Sequence, residues 1–320
     1  MRSNQSLIVV TGATGWVGRN ILEVLQKEIP HNEFNSNVVA LASKEQILFS
    51  TGYKQKNKIS IQVEDLKIFP ELCKNTSNIL LIHSAFLTKN YITSNNIFNY
   101  IYANKLITSI ICEGLSLCKD CKVVEISSGA ASAFDYSYSK FIDEEQIFKD
   151  PYGYLKKSEE VQISKIANTL ILRIYSLSGK FVRNTSIYAL SSFLSKAIKG
   201  KSFKIDSNRS IYRSYGHANN IAELACKWLL SNNKNLDSPI NTVSHTTNLV
   251  SLAKIIEDEF NLPNVTHLVD FSKEADIYIS SEEKFINLLS TYNIRVKSFK
   301  QQIIDTANYL KTLEELKNNF

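Results

Sequence analysis

Two tyrosine–lysine pairs have the spacing of a proton-transfer site. Tyr136 stands four residues before Lys140, and Tyr152 stands four residues before Lys156. Residues four apart on a helix lie on one face, so each phenol would have an ammonium one turn away. A nearby ammonium favours the phenolate form, which lets a tyrosine exchange a proton with a carbonyl or an alcohol near neutral pH.

The flanking sequence favours the second pair. The dipeptide Asp150–Pro151 directly precedes Tyr152 and is typical of a helix start, with an N-cap side chain followed by proline in the first turn. The same proline stops a helix that begins at Tyr136. We therefore assign Tyr152 and Lys156 as the proton-transfer pair and keep Tyr136 and Lys140 as the alternative.

Two serines follow an apolar run that reads as a strand, at Lys122–Ile126. Side chains at the carboxyl end of a parallel strand lie at the crevice where such sheets bind ligands. A hydroxyl there can donate a hydrogen bond to a substrate oxygen as negative charge develops on it. We expect Ser128 to take this role, with Ser127 as the second choice.

A glycine loop follows the first apolar strand of the chain. Gly12, Gly15 and Gly18 have the spacing G-x-x-G-x-x-G at a strand-to-helix junction. The first glycine allows the tight turn, the second lets backbone N–H groups approach a pyrophosphate, and the third lets the helix pack on the sheet. The helix N-terminus also favours an anion. The pattern predicts a dinucleotide site, to which we also assign Trp16 and Val17.

The end of the second strand bears on the choice of cofactor. A site for NAD usually places an Asp or Glu there, on the ribose 2′-hydroxyl. This chain has Ser43 and Lys44 instead, a hydroxyl and a positive charge that suit a 2′-phosphate. We therefore expect NADP, with NAD as the alternative.

Strand and helix patterns alternate through the first half of the chain, which predicts βαβ units on a parallel sheet. The expected strands are Leu7–Val10, Val38–Leu41, Ile59–Val63, Ile79–His83, Lys122–Ile126 and Thr169–Ile174, and the expected helices are Trp16–Glu28, Asn96–Leu117 and Tyr152–Ile166. The fold class is α/β, a Rossmann-type doubly wound parallel sheet over residues 1–175. Residues 176–320 are expected to form a smaller α/β substrate-binding region, interleaved with the first, with helices at Ile187–Lys199, Asn219–Leu230, Leu249–Phe260, Glu282–Leu289 and Gln301–Leu316.

Composition excludes several classes of protein. The 320 residues are 44% hydrophobic and 21% charged, with only ten glycines and five prolines, which is unlike a disordered or collagen-like chain. No apolar run is long enough to span a bilayer, so we expect a soluble cytoplasmic protein without a membrane partner. Five cysteines with a single CxxC predict reduced thiols and no metal site. The net charge of +6 is scattered and predicts no nucleic-acid partner.

The chain resembles the extended short-chain dehydrogenases/reductases, in the NAD-dependent epimerase/dehydratase family. The resemblance rests on motifs spread over most of the chain: TGATGWVG at Thr11–Gly18, VEDL at Val63–Leu66, LIHSA at Leu81–Ala85, Asn104, EISSGA at Glu125–Ala130, and PYGYLKKSEE at Pro151–Glu160. The last motif is the most specific, because Tyr152, Lys156 and Glu160 share the family's Y-x-x-x-K-x-x-x-E register.

The resemblance implies further site residues. Cofactor contacts are implied for Asp65, Leu66, Ser84, Ala85 and Asn104, and Lys156 would also hold the nicotinamide ribose. In the second region, Arg213 matches an arginine that grips the diphosphate of a nucleotide sugar. Asn184 matches an asparagine that contacts the substrate. The family's usual homodimer would form through the helices at Asn96–Leu117 and Tyr152–Ile166.

These observations predict an enzyme that acts on a nucleotide-diphosphate sugar. Family dehydratases carry an acidic pair just after the strand-end hydroxyl, whereas Gly129 and Ala130 stand there in this chain, which argues against dehydration. We expect a 4-ketoreductase in which NADPH delivers hydride and Tyr152 donates the proton. The alternatives are an NAD-dependent 4-epimerase and, in another class, a non-catalytic NADP-binding sensor or scaffold.

Overall fold

The strands and helices alternate as the sequence predicts. A computed structural model describes residues 6–49, 60–93, 95–135, 144–182, 185–233, 236–263 and 268–318. Its strands are Leu7–Thr11 (β1), Val38–Ala42 (β2), Gln46–Phe49 (β3), Ser60–Asp65 (β4), Asn78–His83 (β5), Asp120–Ser128 (β6), Asn168–Ile174 (β7), Ser176–Ser178 (β8), Ile211–His217 (β9), Ile240–Asn241 (β10), His245–Asn248 (β11) and Asp276–Tyr278 (β12). Its helices are Trp16–Glu28 (α1), His31–Asn37 (α2), Phe69–Asn75 (α3), Ile97–Leu117 (α4), Glu144–Lys149 (α5), Pro151–Ser164 (α6), Ala189–Ala197 (α7), Ala218–Leu230 (α8), Leu249–Glu259 (α9), Glu283–Thr291 (α10) and Phe299–Asn318 (α11).

The first part of the chain supplies most of an eight-stranded sheet, whose strand order is β10-β7-β6-β5-β1-β2-β4-β3. Pairing is parallel between β1 and β2, β1 and β5, β2 and β4, and β5 and β6. All five residues of β1 are buried, as expected for a strand covered on both faces. The predicted α/β fold with a parallel sheet is therefore confirmed.

Local signals set the ends of the two helices that matter most for the site. Helix α1 begins directly after Gly15 and covers the predicted range. Helix α6 begins at Pro151, where the Asp150 carboxylate accepts a hydrogen bond from the backbone N–H of Gly153 at 3.0 Å. The predicted N-cap is thus confirmed, and it fixes where the tyrosine and the lysine of this helix lie along its first turns.

The expectations missed several short elements. Strand β3 is antiparallel to β4 at the edge of the sheet, and helices α2 and α3 have seven residues each. Such elements have too few residues for a clear apolar period. Most predicted boundaries are within two residues of the observed ones, and β6 extends to Ser128, so both serines lie at the end of the strand itself.

The chain divides into two units. The first comprises Met1–Arg173 and Ala225–Ile240, and the second comprises Ile174–Leu224 and Asn241–Phe320. Within the first unit, α4 packs against α3 and α6. The second unit contains a four-stranded sheet in which β9 pairs parallel with β8 and β12 and antiparallel with β11. Helix α7 packs against α9 and α11 there.

Two whole-chain features concern membranes and cysteines. Within the described residues, the helices are all too short or too polar to cross a bilayer. The five cysteines, all of them in described segments, are free thiols.

Gly12 and Gly200 form a matched pair for testing the packing of the glycine loop. Their φ angles are +65° and +66°, so an added Cβ costs about 1–2 kcal/mol at either position. At Gly12 that Cβ would also lie 2.6 Å from the backbone carbonyl carbon of Ser84, whereas nothing lies within 4 Å at Gly200. We expect Gly12→Ala to lower the free energy of unfolding clearly more than Gly200→Ala, as measured by urea titration. Equal losses would contradict this packing.

Candidate active site

Tyr152 and Lys156 share one face of α6. Tyr152 is half-buried, and its ring meets the Phe86 ring edge to face with centroids 5.8 Å apart. Lys156 is buried, and its Nζ lies 4.0 Å from the centre of the same Phe86 ring. The ammonium donates hydrogen bonds to the carbonyl oxygen of Ile126 at 2.9 Å and to Glu159 Oε2 at 2.7 Å. The two predicted partners therefore both contact the Phe86 ring, and the ammonium is fixed by its hydrogen bonds to Ile126 on β6 and to Glu159.

Glu159 is the centre of a buried polar cluster. Its Oε1 lies 3.0 Å from His83 Nε2 and 3.1 Å from Thr108 Oγ1, and His83 Nδ1 lies 2.7 Å from Thr11 Oγ1. Burial works to raise the pKa of Glu159, but the Lys156 ammonium and His83 outweigh it and hold that pKa at about 2. The carboxylate is therefore ionised at neutral pH and balances the charge of Lys156.

Glu125 is a second carboxyl group in the same interior. It is the register partner of His83 on the neighbouring strand, and it is fully buried. Neither carboxyl oxygen has a hydrogen-bond partner among the described residues. Burial, and then the nearby Glu159 carboxylate, raise the pKa of Glu125 well above its ordinary value of 4.5. Of the two carboxyl groups, Glu125 is therefore the one that holds its proton to higher pH.

The two candidate serines have different partners. Ser127 Oγ donates a hydrogen bond to Glu160 Oε1 at 2.6 Å, and both side chains are buried. Ser128 Oγ accepts a hydrogen bond from the backbone N–H of Ala130 at 3.2 Å, which caps the 3-10 helix Gly129–Phe134. Ser127 is thus part of an internal ion-pair network, and the role of Ser128 as the substrate-facing hydroxyl stays a prediction.

An arginine clamp fixes α6 to the sheet. Arg173 on β7 donates to both carboxylate oxygens of Glu160 at 2.6–2.7 Å and to both oxygens of Asp135 at 2.7 Å. Lys157 also donates to Asp135 at 2.6 Å. Burial works to raise the pKa of Asp135, but Arg173 and Lys157 together lower it. Bidentate pairs of this kind restrict the orientation of the groups they join, so they hold the helix that carries Tyr152.

The glycine loop fits a dinucleotide. The backbone N–H of Gly15 donates to the carbonyl oxygen of Gly12 at 2.8 Å, which closes the turn, and a Cβ on Gly18 would collide with that same carbonyl oxygen. The first turn of α1 contains no acidic residue, and no side chain among the described residues caps it. The backbone N–H groups of this first turn, which include those of Trp16 and Val17, are suited to the phosphates of NAD or NADP.

The residues expected around the adenosine end lie after β2 and β4. Ser43 and Lys44 are exposed directly after β2. Asp65 ends β4 and accepts a hydrogen bond from the backbone N–H of Lys67 at 2.9 Å, while Leu66 is buried. Because β2 and β4 are parallel neighbours, with Ala42 opposite Asp65, these two segments leave the same edge of the sheet.

Ser84, Ala85 and Asn104 shape the segment after β5. Ser84 donates to Thr11 through its backbone N–H and its hydroxyl, and the backbone of Ser84 and Ala85 packs against Gly12. Buried Asn104 accepts from the backbone N–H of Leu87 at 2.8 Å and donates to the Leu87 carbonyl oxygen at 3.3 Å. Asn104 therefore holds the backbone that follows the strand.

The structure describes one of the two predicted substrate residues. Arg213 donates to the carboxylate of Asp276 at 2.8 Å and to its carbonyl oxygen at 3.0 Å, within the second unit. Its guanidinium is thus already paired with a carboxylate, and its contact with a diphosphate stays a prediction. Asn184 lies outside the described residues, as do Tyr136 and Lys140 of the alternative pair.

Sequence reasoning missed His83, Glu125 and Glu159. Signals for two of them are present: an ionisable residue interrupts each of two otherwise apolar strands, in LLIH and in VVEI. Glu159 gave no such signal, because an acidic residue three positions after a lysine is usual on an exposed helix face. In the described parts of the chain, no cluster of three or more His, Cys, Asp or Glu side chains could hold a metal ion.

Comparisons with known proteins bear on the family and the fold of the chain. The model of the NAD dependent epimerase/dehydratase family matches residues 8–243. No curated protein matches the sequence. Similar solved structures include UDP-glucuronic acid 4-epimerase from Bacillus cereus in complex with UDP-glucuronic acid and NAD, at 16% identity and a TM-score of 0.66, covering 97% of this chain and 100% of that one.

Two further structures extend the comparison. One is the UDP-glucose 4-epimerase of Thermotoga maritima with UDP-glucose, at 13% identity and a TM-score of 0.67, covering 97% of this chain and 100% of that one. The other is an NAD dependent NDP-hexosamine 5,6-dehydratase involved in tunicamycin biosynthesis, at 13% identity and a TM-score of 0.63, covering 96% and 98%. At these identities the likeness shows a shared fold.

The unpartnered carboxyl of Glu125 makes stability depend on pH. The unfolded chain loses this proton near pH 4.5, whereas the folded chain keeps it to higher pH, so stability falls as pH rises towards the folded pKa. Gln does not titrate. We expect Glu125→Gln to gain in free energy of unfolding relative to the natural chain on going from pH 5 to pH 8, as measured by urea titration. Glu113→Gln on the exposed face of α4 serves as the control. A pH-independent difference for Glu125→Gln would count against a raised pKa of Glu125.

Proposed function

This chain belongs to the NAD-dependent epimerase/dehydratase family, and from that premise we propose that it is an NAD(P)-dependent oxidoreductase acting on a nucleotide-diphosphate sugar. The resemblance identified from the motifs is thereby confirmed at the level of the family. The observation that carries the proposal is the buried Lys156 ammonium, one helical turn from the half-buried phenol of Tyr152. A lysine is rarely buried without a specific task or partner.

In the proposed reaction, each side chain has a distinct task. The cofactor supplies a hydride donor or acceptor at its nicotinamide. The Tyr152 phenol gives a proton to, or takes one from, the sugar oxygen, and the Lys156 ammonium favours its ionised form. Ser128 Oγ steadies that oxygen by a hydrogen bond. Arg213 would contact the diphosphate of the substrate, within a substrate-binding region at residues 176–320.

The leading version is a 4-ketoreductase that uses NADPH. Its support is the end of β2, where Ser43 and Lys44 are exposed and suit a 2′-phosphate. The absence of an acidic pair after Ser128 in the sequence argues against a dehydratase, because Gly129 and Ala130 supply neither acid nor base.

The second candidate is an NAD-dependent 4-epimerase. Its support is the similarity of the fold to UDP-sugar 4-epimerases, including one in complex with NAD and its UDP-sugar. In this version the same phenol would accept a proton and later return it, while the keto sugar rotates between the two steps.

Replacement of Tyr152 tests the proposal directly. We expect Tyr152→Phe to lower kcat by about 10²-fold or more, because a general acid–base contributes that much, while dinucleotide binding measured by calorimetry stays unchanged. Tyr154→Phe, two residues further along the same helix, is the control and should keep full turnover. A Tyr152→Phe protein with full turnover would eliminate both versions of the mechanism.

The cofactor separates the two versions in the same assays. Consumption of added NADPH only in the presence of a keto-sugar nucleotide supports the reductase. Purified protein that carries NAD and interconverts UDP-sugars without added reductant supports the epimerase. Dinucleotide binding without turnover on either substrate class supports the non-catalytic sensor or scaffold instead.

A homodimer through α4 is part of the proposal. Phe98, Tyr102 and Leu106 recur every four residues along α4, and their side chains are 71%, 69% and 43% exposed. Such a stripe is more apolar than an exposed helix face needs to be. We expect the natural chain to sediment as a dimer and Tyr102→Lys to sediment as a monomer, because a buried lysine would lack a partner. A monomeric natural chain would contradict this assembly.

A further inference from the structure

A continuous chain of hydrogen bonds joins the glycine loop to Lys156. It runs from Thr11, the last residue of β1, to His83 at 2.7 Å, from His83 to Glu159 at 3.0 Å, and from Glu159 to Lys156 at 2.7 Å. All four side chains are buried, and Thr11, His83 and Glu159 have no exposed surface. The chain crosses from the sheet to helix α6 beside the candidate catalytic pair.

The hydrogen bonds of this chain meet at the Glu159 carboxylate. Thr11 Oγ1 accepts the backbone N–H of Ser84 at 3.2 Å and shares a hydrogen bond with His83 Nδ1 at 2.7 Å. His83 Nε2 lies 3.0 Å from Glu159 Oε1, and Lys156 donates to the other carboxylate oxygen. Both oxygens of Glu159 are thus acceptors, as an ionised carboxylate requires.

The charges around the lysine balance within this interior. The titratable groups that face the cluster are His83 on β5, Glu125 on β6, Glu160 on α6, Arg173 on β7, and Tyr100 and Cys112 on α4. Glu160 is neutralised by Arg173. Burial raises the pKa of Glu125, and its oxygens have no hydrogen-bond partner among the described residues. Within that part of the chain, Glu159 is therefore the carboxylate that is directly paired with Lys156.

We propose that Glu159, fixed by His83 and Thr11, is a positioning residue that holds the Lys156 ammonium in place beside Tyr152 before any dinucleotide binds. The inference rests on the proposed function for the task of Lys156, but the positioning itself does not require turnover. An ammonium buried without a counter-charge is costly, so loss of this carboxylate would drive Lys156 to lose its proton or to leave its site. The network thus pre-sets both the place and the charge of the lysine.

The first experiment reads Lys156 without using activity. In protein labelled with ¹⁵N-lysine, we expect a Lys156 Nζ resonance that stays protonated and exchanges slowly, assigned by its loss in Lys156→Arg. Glu159→Gln should remove this protection, because the ammonium would lose its buried counter-charge. Glu23→Gln, which removes the carboxylate paired with exposed Lys27, is the matched control and should leave the Lys156 resonance unchanged.

A second variant provides the test if the Glu159→Gln protein does not fold. Thr11→Val removes the far end of the network, keeps the side-chain volume and should make Lys156 Nζ exchange faster, although less than Glu159→Gln does. A natural chain whose Lys156 Nζ exchanges as fast as surface lysines overturns the proposal, whichever variants fold. So does a folded Glu159→Gln protein with an unchanged Lys156 resonance.

The second experiment uses the pH profile, which a purely structural role would not move. If loss of the Glu159 charge makes Lys156 lose its proton or leave its site, the phenol of Tyr152 loses the positive neighbour that favours its ionised form. The limb of the kcat profile that reports Tyr152 should therefore move to higher pH by about one unit. An unmoved limb in an active Glu159→Gln enzyme counts against the inference alone. A chain that turns over no nucleotide sugar but shows the protected Lys156 resonance counts against the proposed function alone.

Discussion

The need to neutralise a buried ammonium governs the interior of the first unit. Lys156 lies under the end of the sheet, and taking its charge out of water is favourable only beside a well-bonded carboxylate. Glu159 provides one, and His83 and Thr11 in turn orient Glu159. Glu125 in the same interior has no hydrogen-bond partner among the described residues, and its pKa is raised well above its ordinary value. The pKa values of the two carboxyl groups thus shift in opposite directions because their partners differ, although both groups are fully buried.

Local chemistry explains why much of the fold could be predicted. The apolar runs of the parallel strands and the cap at Asp150 are contained within a few residues, and they specify β1, α1 and α6 almost to the residue. The edge strand β3 and the short helix α3 depend on distant neighbours. Antiparallel pairing of β3 with β4 and packing of α3 on α4 are tertiary contacts that leave little trace in a seven-residue window.

The candidate site, too, could be predicted only in part from the sequence. The spacing of Tyr152 and Lys156 follows from helix geometry, so the sequence alone places both on one face. The partner of the lysine does not follow, because burial of Glu159 is created by strands far away in the chain. The same limit applies to Arg213, which resembles a diphosphate ligand by motif and forms an ion pair with Asp276, 63 residues further along.

The inner and outer faces of helix α4 have different surroundings. Its inner face holds the backbone of Leu87 through three hydrogen bonds, from Asn104 and from the hydroxyl of Tyr100. The residue just before it, Phe86, supplies the ring that covers the Lys156 ammonium. The opposite face carries the exposed aromatic stripe. In the proposed dimer, a shift of this helix would move the aromatic cover of the lysine and so link the subunit contact to the surroundings of the proposed proton-transfer pair.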